Sequence, residues 1–386
     1  DRGAVLIRLP ASVVLSGSRA REILGVEDLD PKIALCALMA EGRNDAESGG
    51  DAFGLREYLL MLPAAFPSLP FCFPDSDDAT AELRGTSLLP AVRALRARSE
   101  EARGIALSAL GDRLVSLWSR GRWQWANGVL LTRGGQNFHT AQDGDAEVRD
   151  RNLIILPLVD FVNCDAHPSA QCRLCDNGDV ELVALGPLQA GAEVTINYGA
   201  ESQEEYAFTY GFVLPQARAL ATSPFALESE LPLRNALLRL LLLDRGDTRK
   251  MPLAQLFWAE GSGGKRQSGA SEVDVSELWA TANILEADEV ELRALATAAA
   301  KLGRLPAEVN ERASTAARRL LRETLEAWLM ELEPILPSRA SSHFHAVRTY
   351  RSSVRDLAAA ALERLQLEEN GEAERAMDAA TDVVVK

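Results

Sequence analysis

The spacing of apolar residues divides the chain into a mixed first part and a helical second part. Residues 4–16 contain two short apolar segments around Pro10, which predict strands. The patterns at 31–41, at 53–62 and from 86 to about 119 are helical instead. Beyond residue 215 the amphipathic segments are long, as in 307–332, where apolar residues at helical intervals line one face. The pattern therefore predicts strands and helices first, and helices alone afterwards.

Between the helical stretches of the first part, the spacing changes to that of short strands. LIILPLVD at 153–160 is a nearly continuous apolar run, as in a strand buried on both faces. Asn177 and Gly178 separate two strand-like runs and predict a two-residue hairpin with a type I′ turn, because both residue types tolerate positive φ. EVTINY at 193–198 alternates, which predicts a further strand with Tyr198 at its end.

These patterns together predict an α+β protein with two domains. The first, over 1–215, is expected to be β-rich and to contain a helical insert at about 31–128. The second, over 220–386, is expected to be all-α. The length of 386 residues agrees with two domains, since single cores seldom grow beyond ~250–300 residues.

Composition and charge narrow the function classes. The formal charge of −15 argues against nucleic acid or an anionic membrane as the main partner and favours a protein substrate or partner with a basic surface. Five cysteines are too few for a disulfide scaffold, which predicts an intracellular, reducing location. We expect no membrane span, because no apolar run approaches the ~20 residues that one requires.

One group of residues has the composition of a zinc site. Cys164, His167, Cys172 and Cys175 form a C-x2-H-x4-C-x2-C array of suitable ligand types. However, the predicted hairpin places Cys172 and Cys175 three residues apart on a strand, where side chains alternate between faces. Those two thiols would point in opposite directions, so the sequence predicts no bound metal.

Three segments around this array resemble the SET-domain protein methyltransferases. They are LPLVDFVNC, GPLQAGAEVTINYG and EYAFTYGFV, and they are similar to the branch typified by the Rubisco large-subunit methyltransferase. That branch carries a D-x-x-N-H-S loop, then an A-G-E strand ending in Tyr-Gly, then a second Y-G-F. Here the matching positions are Asp160, Asn163, 191–193, Tyr198 and 210–212.

The resemblance extends over most of the chain. FGLREYLLMLPAAFPSLPFCF and LRGTSLL at 83–89 are similar to upstream segments of the family. WQWANGVLLTRGGQNF resembles a helix that ends in a functional pair, which here would be Thr132 and Arg133. The part after residue 220 resembles the helical substrate-binding domain of the family, more by pattern than by motif.

The resemblance implies a SET-type fold and S-adenosylmethionine-dependent transfer of a methyl group to a lysine of a non-histone protein. A free lysine has a pKa of ~10.4, so such a site must favour the neutral amine and orient its lone pair. A tyrosine hydroxyl and converging carbonyl groups could do so. The implied roles are catalysis by Tyr198, substrate binding by Arg133 and Tyr210, and cofactor binding by Thr132, Asp160, Asn163 and Cys164.

Three departures from the family pattern leave a second interpretation open. The Asn-His-Ser loop is Asn163-Cys164-Asp165, and two glycines after Arg133 are expected to loosen the end of a helix. The resemblance also leads us to expect a Gly-x-Gly strand ahead of Asp1. The protein is therefore either an active methyltransferase or a catalytically lapsed SET-fold subunit of a larger complex, in which Cys164 and Asp165 would occupy the space of the cofactor.

Two further points remain open from the sequence. Histidine is an alternative target residue to lysine within this branch, and the residues do not separate the two. The resemblance favours an organelle as the compartment, with the plastid ahead of the mitochondrion.

Overall fold

The computed structural model describes residues 2–114, 119–135, 153–200, 202–222, 232–243, 255–258, 273–302, 311–333 and 342–384. Helices α1 to α12 are, in chain order, Gly17–Leu24, Pro31–Glu47, Arg56–Met61, Asp77–Leu83, Leu88–Leu110, Arg120–Arg133, Gln203–Tyr210, Pro232–Leu243, Ser276–Glu286, Glu289–Leu302, Glu311–Glu331 and His345–Val384. Strands β1 to β11 are Val5–Leu9, Leu15–Ser16, Gly134–Gly135, Ile154–Ile155, Asn163–Cys164, Ala170–Leu174, Val180–Ala184, Thr195–Ile196, Leu220–Thr222, Gln255–Trp258 and Val273–Asp274.

The chain forms two compact units. The first comprises Asp1–Pro74, Pro90–Glu201 and Glu205–Gln216. The second comprises Asp75–Leu89, Ser202–Glu204 and Ala217–Lys386. Residues 75–89 thus belong to the second unit although they precede most of the first in sequence. The domain boundary at 215–220 stays a prediction.

The described residues of the first unit form three small sheets. Strands β1, β7 and β6 form an antiparallel sheet in the order β1-β7-β6, and β2, β4 and β3 form another in the order β2-β4-β3. Strands β5 and β8 pair in parallel. Together with the helices, these short sheets confirm the predicted α+β class.

The second unit differs from the all-α expectation in one detail. It contains a three-stranded antiparallel sheet in the order β11-β10-β9, beside helices α8 to α12. Its strands are two to four residues long. Such short strands leave no measurable alternation in a sequence, which is why the apolar pattern did not reveal them.

The predicted strands of the first unit are shorter than expected. The run LIILPLVD contributes only Ile154 and Ile155 to β4, because the chain turns at Leu158, which has φ 74°. The segment EVTINY contributes only Thr195 and Ile196 to β8. In both cases the apolar pattern continues past the last residue that pairs with a neighbouring strand.

The hairpin between β6 and β7 has a three-residue loop instead of the predicted two-residue type I′ turn. The N–H of Gly178 donates to the carbonyl of Cys175 at 2.9 Å, and the N–H of Cys175 donates to the carbonyl of Asp179 at 2.8 Å. Gly178 has φ 83°, whereas Asn177 keeps a negative φ. A type I turn followed by one left-handed glycine therefore closes the hairpin, and the extra residue is a bulge.

The hairpin also decides the positions of the cysteines. Cys172 lies within β6 and packs, half-buried, against a small core around Leu9 and Val180. Cys175 lies beyond the end of the strand. Among the described residues, no group of three or more His, Cys, Asp or Glu side chains is arranged to hold a metal ion.

None of the described helices is both long and apolar enough to cross a membrane.

The main core of the first unit surrounds α2. Residues 34–40 of this helix are all buried, and α2 packs against α1, α3 and α6. Leu15 of β2 and Ile155 of β4 join the same core. Because α6 is held along its length by this core, its last residue, Arg133, has a fixed position.

The end of α6 is not loosened by its glycines, contrary to the expectation from the sequence. Gly134 pairs with Ile155 across β3 and β4. A Cβ atom at Gly134 would lie 2.4 Å from the carbonyl oxygen of Leu130 and 2.6 Å from Cδ1 of Leu153. Glycine is therefore required by close packing, and strand pairing fixes the chain directly after Arg133.

Candidate active site

Tyr198 and Tyr210 form the centre of the candidate site in the first unit. Tyr198 follows β8, and Tyr210 is the last residue of α7. Their ring centroids are 4.8 Å apart. The hydroxyl of Tyr198 donates to the carbonyl of Val162 at 2.8 Å, and that of Tyr210 donates to the carbonyl of Tyr198 at 3.1 Å. Each hydroxyl is thus held by a backbone carbonyl group.

A close backbone approach keeps this pair in place. Gly211 has φ 74°, and a Cβ atom there would lie 2.7 Å from the carbonyl oxygen of Ser68. Only glycine allows the chain to leave α7 so near to this neighbouring segment. Phe212 then turns back onto the rings of Tyr198 and Tyr206, with centroid distances of 6.3 and 5.3 Å. The result is a packed group of aromatic rings around the two hydroxyls.

The parallel pairing of β5 with β8 brings the loop at 163–165 beside the strand that leads to Tyr198. Asn163 is exposed, and its amide Nδ2 donates to Oε1 of Glu193 at 2.6 Å. The sulfur of Cys164 lies 3.6 Å from the hydroxyl oxygen of Tyr206. Asp165 is exposed, and its Oδ1 accepts a hydrogen bond from the backbone N–H of His167 at 2.7 Å. The carboxylate of Asp165 therefore points back to its own loop.

A second polar group surrounds Asp160, whose side chain is only 1% exposed. Tyr58 donates its hydroxyl to Oδ2 of Asp160 at 2.8 Å. Arg133 donates Nη1 to the carbonyl of Asp160 at 2.7 Å and lies 3.4 Å from Oδ2. The guanidinium of Arg133 also lies over the ring of Phe161, 4.8 Å from its centroid. The Oδ1 atom of Asp160 and Nε of Arg133 are buried without a protein partner.

Burial dominates the electrostatics of these groups. It raises the pKa of Tyr198 and raises the pKa of Tyr210 to about 12. It also raises the pKa of Asp160, although the hydrogen bond from Tyr58 and the charge of Arg133 oppose this effect. The tyrosines therefore keep their protons at neutral pH and remain hydrogen-bond donors.

Four of the seven residues singled out from the sequence form two pairs, and the members of each pair contact each other. Tyr198 and Tyr210 form one group, and Arg133 and Asp160 form the other. Thr132 joins neither, since its hydroxyl donates to the carbonyl of Gly128 at 2.8 Å within α6. Asn163 and Cys164 lie on β5, with the side-chain partners given above.

Sequence reasoning missed three residues of the site: Tyr58, Glu193 and Tyr206. Tyr58 lies in the segment FGLREYLLMLPAAFPSLPFCF, and the only signal for it is that a tyrosine must find a partner for its hydroxyl once it is buried. Glu193 and Tyr206 lie within the quoted motifs. Their contacts with Asn163 and Cys164 depend on strand pairing and on the orientation of a helix, which the motifs do not specify.

The fold is similar to that of solved structures of Rubisco LSMT. The SET domain of LSMT bound to lysine and AdoHcy matches with a TM-score of 0.69 at 16% identity. Rubisco LSMT bound to AdoMet matches with a TM-score of 0.67 at 14% identity, and the complex with sinefungin and monomethyllysine with 0.69 at 14%. Each match covers 96% of this chain and 83% of the other. No family model and no curated protein matches the sequence.

The chain therefore has the SET-type fold of the LSMT kind, as the sequence resemblance predicted. The likeness covers nearly the whole chain, whereas the identity is low. The tyrosine pair thus lies within a SET-type fold.

Proposed function

We propose that the protein is a methyltransferase that transfers a methyl group from S-adenosylmethionine to a lysine of a protein substrate. The observation that carries the proposal is the tyrosine pair, with the hydroxyl of Tyr198 held 2.8 Å from the carbonyl of Val162. This arrangement occurs in a SET-type fold. The solved structures with that fold include complexes with lysine or monomethyllysine and with AdoHcy or sinefungin.

The side chains supply what methyl transfer to an amine requires. The lysine must lose its proton, and a half-buried aromatic site disfavours the ammonium form because it withdraws the charge from water. The hydroxyl of Tyr198 and nearby carbonyl groups would orient the neutral amine. Tyr210 forms a second aromatic wall. Much of the rate enhancement would come from this positioning.

The residues present fit a polar cofactor. The carboxylate of Asp165 would repel the carboxylate of S-adenosylmethionine, but it is turned toward the backbone N–H of His167. The exposed amide of Asn163 and the backbone at Cys164 would hold the cofactor, and Oδ1 of Asp160 and Nε of Arg133 still lack partners. When bound, S-adenosylmethionine supplies the electrophilic methyl group.

The test compares the wild type with Tyr198→Phe. We expect calorimetry to detect S-adenosylmethionine binding to both proteins, and we expect the variant to transfer methyl groups ~10–1000-fold more slowly, the range for loss of one positioned polar group. In this assay the proteins of a cell extract serve as methyl acceptors, and S-adenosylmethionine with a labelled methyl group serves as the donor. Equal turnover by the two proteins would exclude Tyr198 as the catalytic residue.

Mass spectrometry of the labelled acceptors decides between two target residues. A methyl group on a lysine supports the proposal. A methyl group on a histidine would show that the target is histidine instead of lysine, and the proposed methyl donor would stay the same.

A lapsed SET-fold subunit of a larger complex is the second candidate. It is favoured by the amide of Asn163, which is engaged by Glu193 at 2.6 Å, and by the cysteine that follows Asn163. In that case calorimetry would detect no cofactor binding. The protein would instead copurify with partner proteins, for which the charge of −15 favours a basic surface.

For the compartment we propose the plastid, ahead of the mitochondrion. The support is the resemblance to the Rubisco methyltransferase branch. Imaging of a fluorescent fusion of the full-length protein tests it, and a cytosolic or nuclear signal would exclude both organelles.

A further inference from the structure

Tyr58 is the residue of the site that the proposed reaction leaves without a role. It lies on α3, and it is only 9% exposed. Its hydroxyl donates to Oδ2 of Asp160, 102 residues away in sequence. Burying a hydroxyl is costly unless it is hydrogen-bonded, so this contact anchors both side chains.

Asp160 lies in a tight turn that ends at the carbonyl used by Tyr198. The N–H of Asp160 donates to the carbonyl of Leu156 at 2.9 Å, and the N–H of Val162 donates to that of Val159 at 3.0 Å. The next polar group along the chain is the carbonyl of Val162, which accepts the hydroxyl of Tyr198. Whatever fixes Asp160 therefore fixes this carbonyl, two residues further on.

The turn needs such an anchor because its backbone is strained. Leu158 has φ 74° and ψ −41°, a conformation that L-residues adopt only when the surroundings enforce it. Leu158 is 52% exposed as a residue, so its burial contributes little to holding the turn. The contacts of Asp160 with Tyr58 and Arg133 are polar and partly buried, and they act directly on the turn.

We propose that Tyr58 is a positioning residue, which through Asp160 holds the turn at 158–162 and so sets the carbonyl that orients the hydroxyl of Tyr198. The structural part of this inference is independent of activity. Its consequence for turnover rests on the proposed function.

The chain has five tyrosines, which makes the structural part directly observable. Labelling with tyrosine that carries 13C at the ring carbon bonded to the hydroxyl gives five resonances, assigned by five Tyr→Phe variants. In Tyr58→Phe we expect the Tyr198 resonance to move toward that of an exposed tyrosine, and its titration midpoint to fall, because the loosened turn admits water.

Tyr350→Phe is the matched control. It removes the same atom from a ring that is 1% exposed in the second unit, where the hydroxyl lies 3.2 Å from that of Ser87. We expect it to lower the melting temperature without moving the Tyr198 resonance. If Tyr58→Phe lowered the melting temperature and left the Tyr198 resonance unchanged, Tyr58 would have only a structural role and the inference would be wrong.

A second variant keeps the test decisive if Tyr58→Phe fails to fold. Asp160→Asn weakens the same contact from its other side, because an uncharged amide oxygen accepts the hydroxyl of Tyr58 less strongly than the carboxylate does, and we expect a smaller movement of the Tyr198 resonance in the same direction. An unmoved resonance would contradict the inference.

In turnover assays we expect Tyr58→Phe to lower kcat about 10-fold, since small misplacements of reacting groups are costly. The KM for S-adenosylmethionine should stay nearly constant. A wild type without turnover would contradict the proposed function, whereas the resonances would still decide the positioning role. A moved resonance with unchanged kcat would contradict only the consequence for turnover.

Discussion

Glu181 is a buried carboxylate at the centre of a small sheet, and two arginines satisfy it. It lies on β7, and its cross-strand neighbours are Arg8 on β1 and Arg173 on β6. Both guanidinium groups form ion pairs with Glu181, one with each carboxylate oxygen. Hydrogen bonds from Arg173 and Arg8 lower the pKa of the Glu181 carboxyl. The three strands are thus joined by one charged cluster in addition to their backbone hydrogen bonds.

This cluster predicts how stability depends on pH. Because the folded pKa of Glu181 is depressed, its contribution is present above the ordinary glutamate pKa of ~4.3 and is lost as the pH falls through the folded value. We expect Glu181→Gln to be less stable than the wild type at neutral pH, with the difference shrinking below pH ~4. Urea unfolding at several pH values measures this.

The control for this prediction is Glu22→Gln on the exposed face of α1. We expect it to unfold like the wild type throughout the pH range. If the free energy of unfolding of Glu181→Gln differed from that of the wild type by the same amount from neutral to acid pH, the charge of the Glu181 carboxylate would contribute nothing to stability.

The sequence identified the titratable residues of the site better than it identified their partners. The motifs placed Tyr198, Asp160 and Arg133 in a functional region, and the structure brings Arg133 and Asp160 into contact. They did not reveal Tyr58, because its contact with Asp160 joins residues 102 positions apart. A motif records residues that are near in sequence, whereas a hydrogen bond between distant segments depends on how the helices pack.

At the scale of elements, α6 is the helix that carries Arg133 to the site. Its packing is close at Gly128, where a Cβ atom would lie 2.6 Å from the ring of Phe66. The same helix buries Trp123, whose Nε1 donates to the carbonyl of Ser99 at 2.9 Å. The position of α6 therefore depends on the absence of a side chain at Gly128 and on the hydrogen-bonded ring of Trp123.

Gly128→Ala and Gly104→Ala form a matched pair that tests this packing. Alanine normally stabilises a helix interior by ~0.5–1 kcal/mol relative to glycine. We expect that gain at Gly104, which is exposed on α5 with no atom within 4 Å of a new Cβ. At Gly128 we expect a net loss of about 1–3 kcal/mol from overpacking against Phe66. Denaturant unfolding measures both.

The outcome that contradicts this prediction is a gain of stability at both positions. In that case the ring of Phe66 would move aside without cost. The packing of α6 would then tolerate larger residues than the close contact between Gly128 and Phe66 implies.

The length of an element decided whether the sequence could predict it. Long helices such as α2 and α5 repeat their apolar spacing several times, which makes such helices predictable from the sequence. Strands β4 and β8 have two residues each, so their boundaries depend on partner strands and on the turn at Leu158. A positive φ at a leucine has no sequence signature, unlike the glycine at position 178.

At the scale of the whole molecule, the second unit is built from segments far apart in sequence. Residues 75–89 contact the C-terminal helix α12 through Glu82, whose carboxylate forms an ion pair with Arg348. Arg351 donates to the carbonyl of Arg84, and Nε1 of Trp328 donates to the carbonyl of Gly85 at 2.6 Å. These contacts explain why the segment belongs to this unit.

Removal of the Glu82 side chain should therefore destabilise α4 and α12 together. In Glu82→Ala, Arg348 loses its partner, and removing one member of a buried pair costs ~3–5 kcal/mol. We expect a value near the lower end, since the side chain of Arg348 is 31% exposed. Hydrogen exchange followed by mass spectrometry should show faster exchange in Asp77–Leu83 and in the first turns of His345–Val384. The buried helix Pro31–Glu47 of the first unit should keep its protection.

Glu289→Ala is the matched control, because it removes a glutamate whose i,i+4 pair with Arg293 is exposed on both sides. Surface pairs of this kind contribute ~0–1 kcal/mol, so exchange at α4 and α12 should not change. If Glu82→Ala accelerated exchange equally in Pro31–Glu47, the two units would lose their structure as one, and the contacts of 75–89 with α12 would not define a separate unit of stability. If exchange in α12 stayed at the wild-type rate, the ion pair would not hold the segment in place.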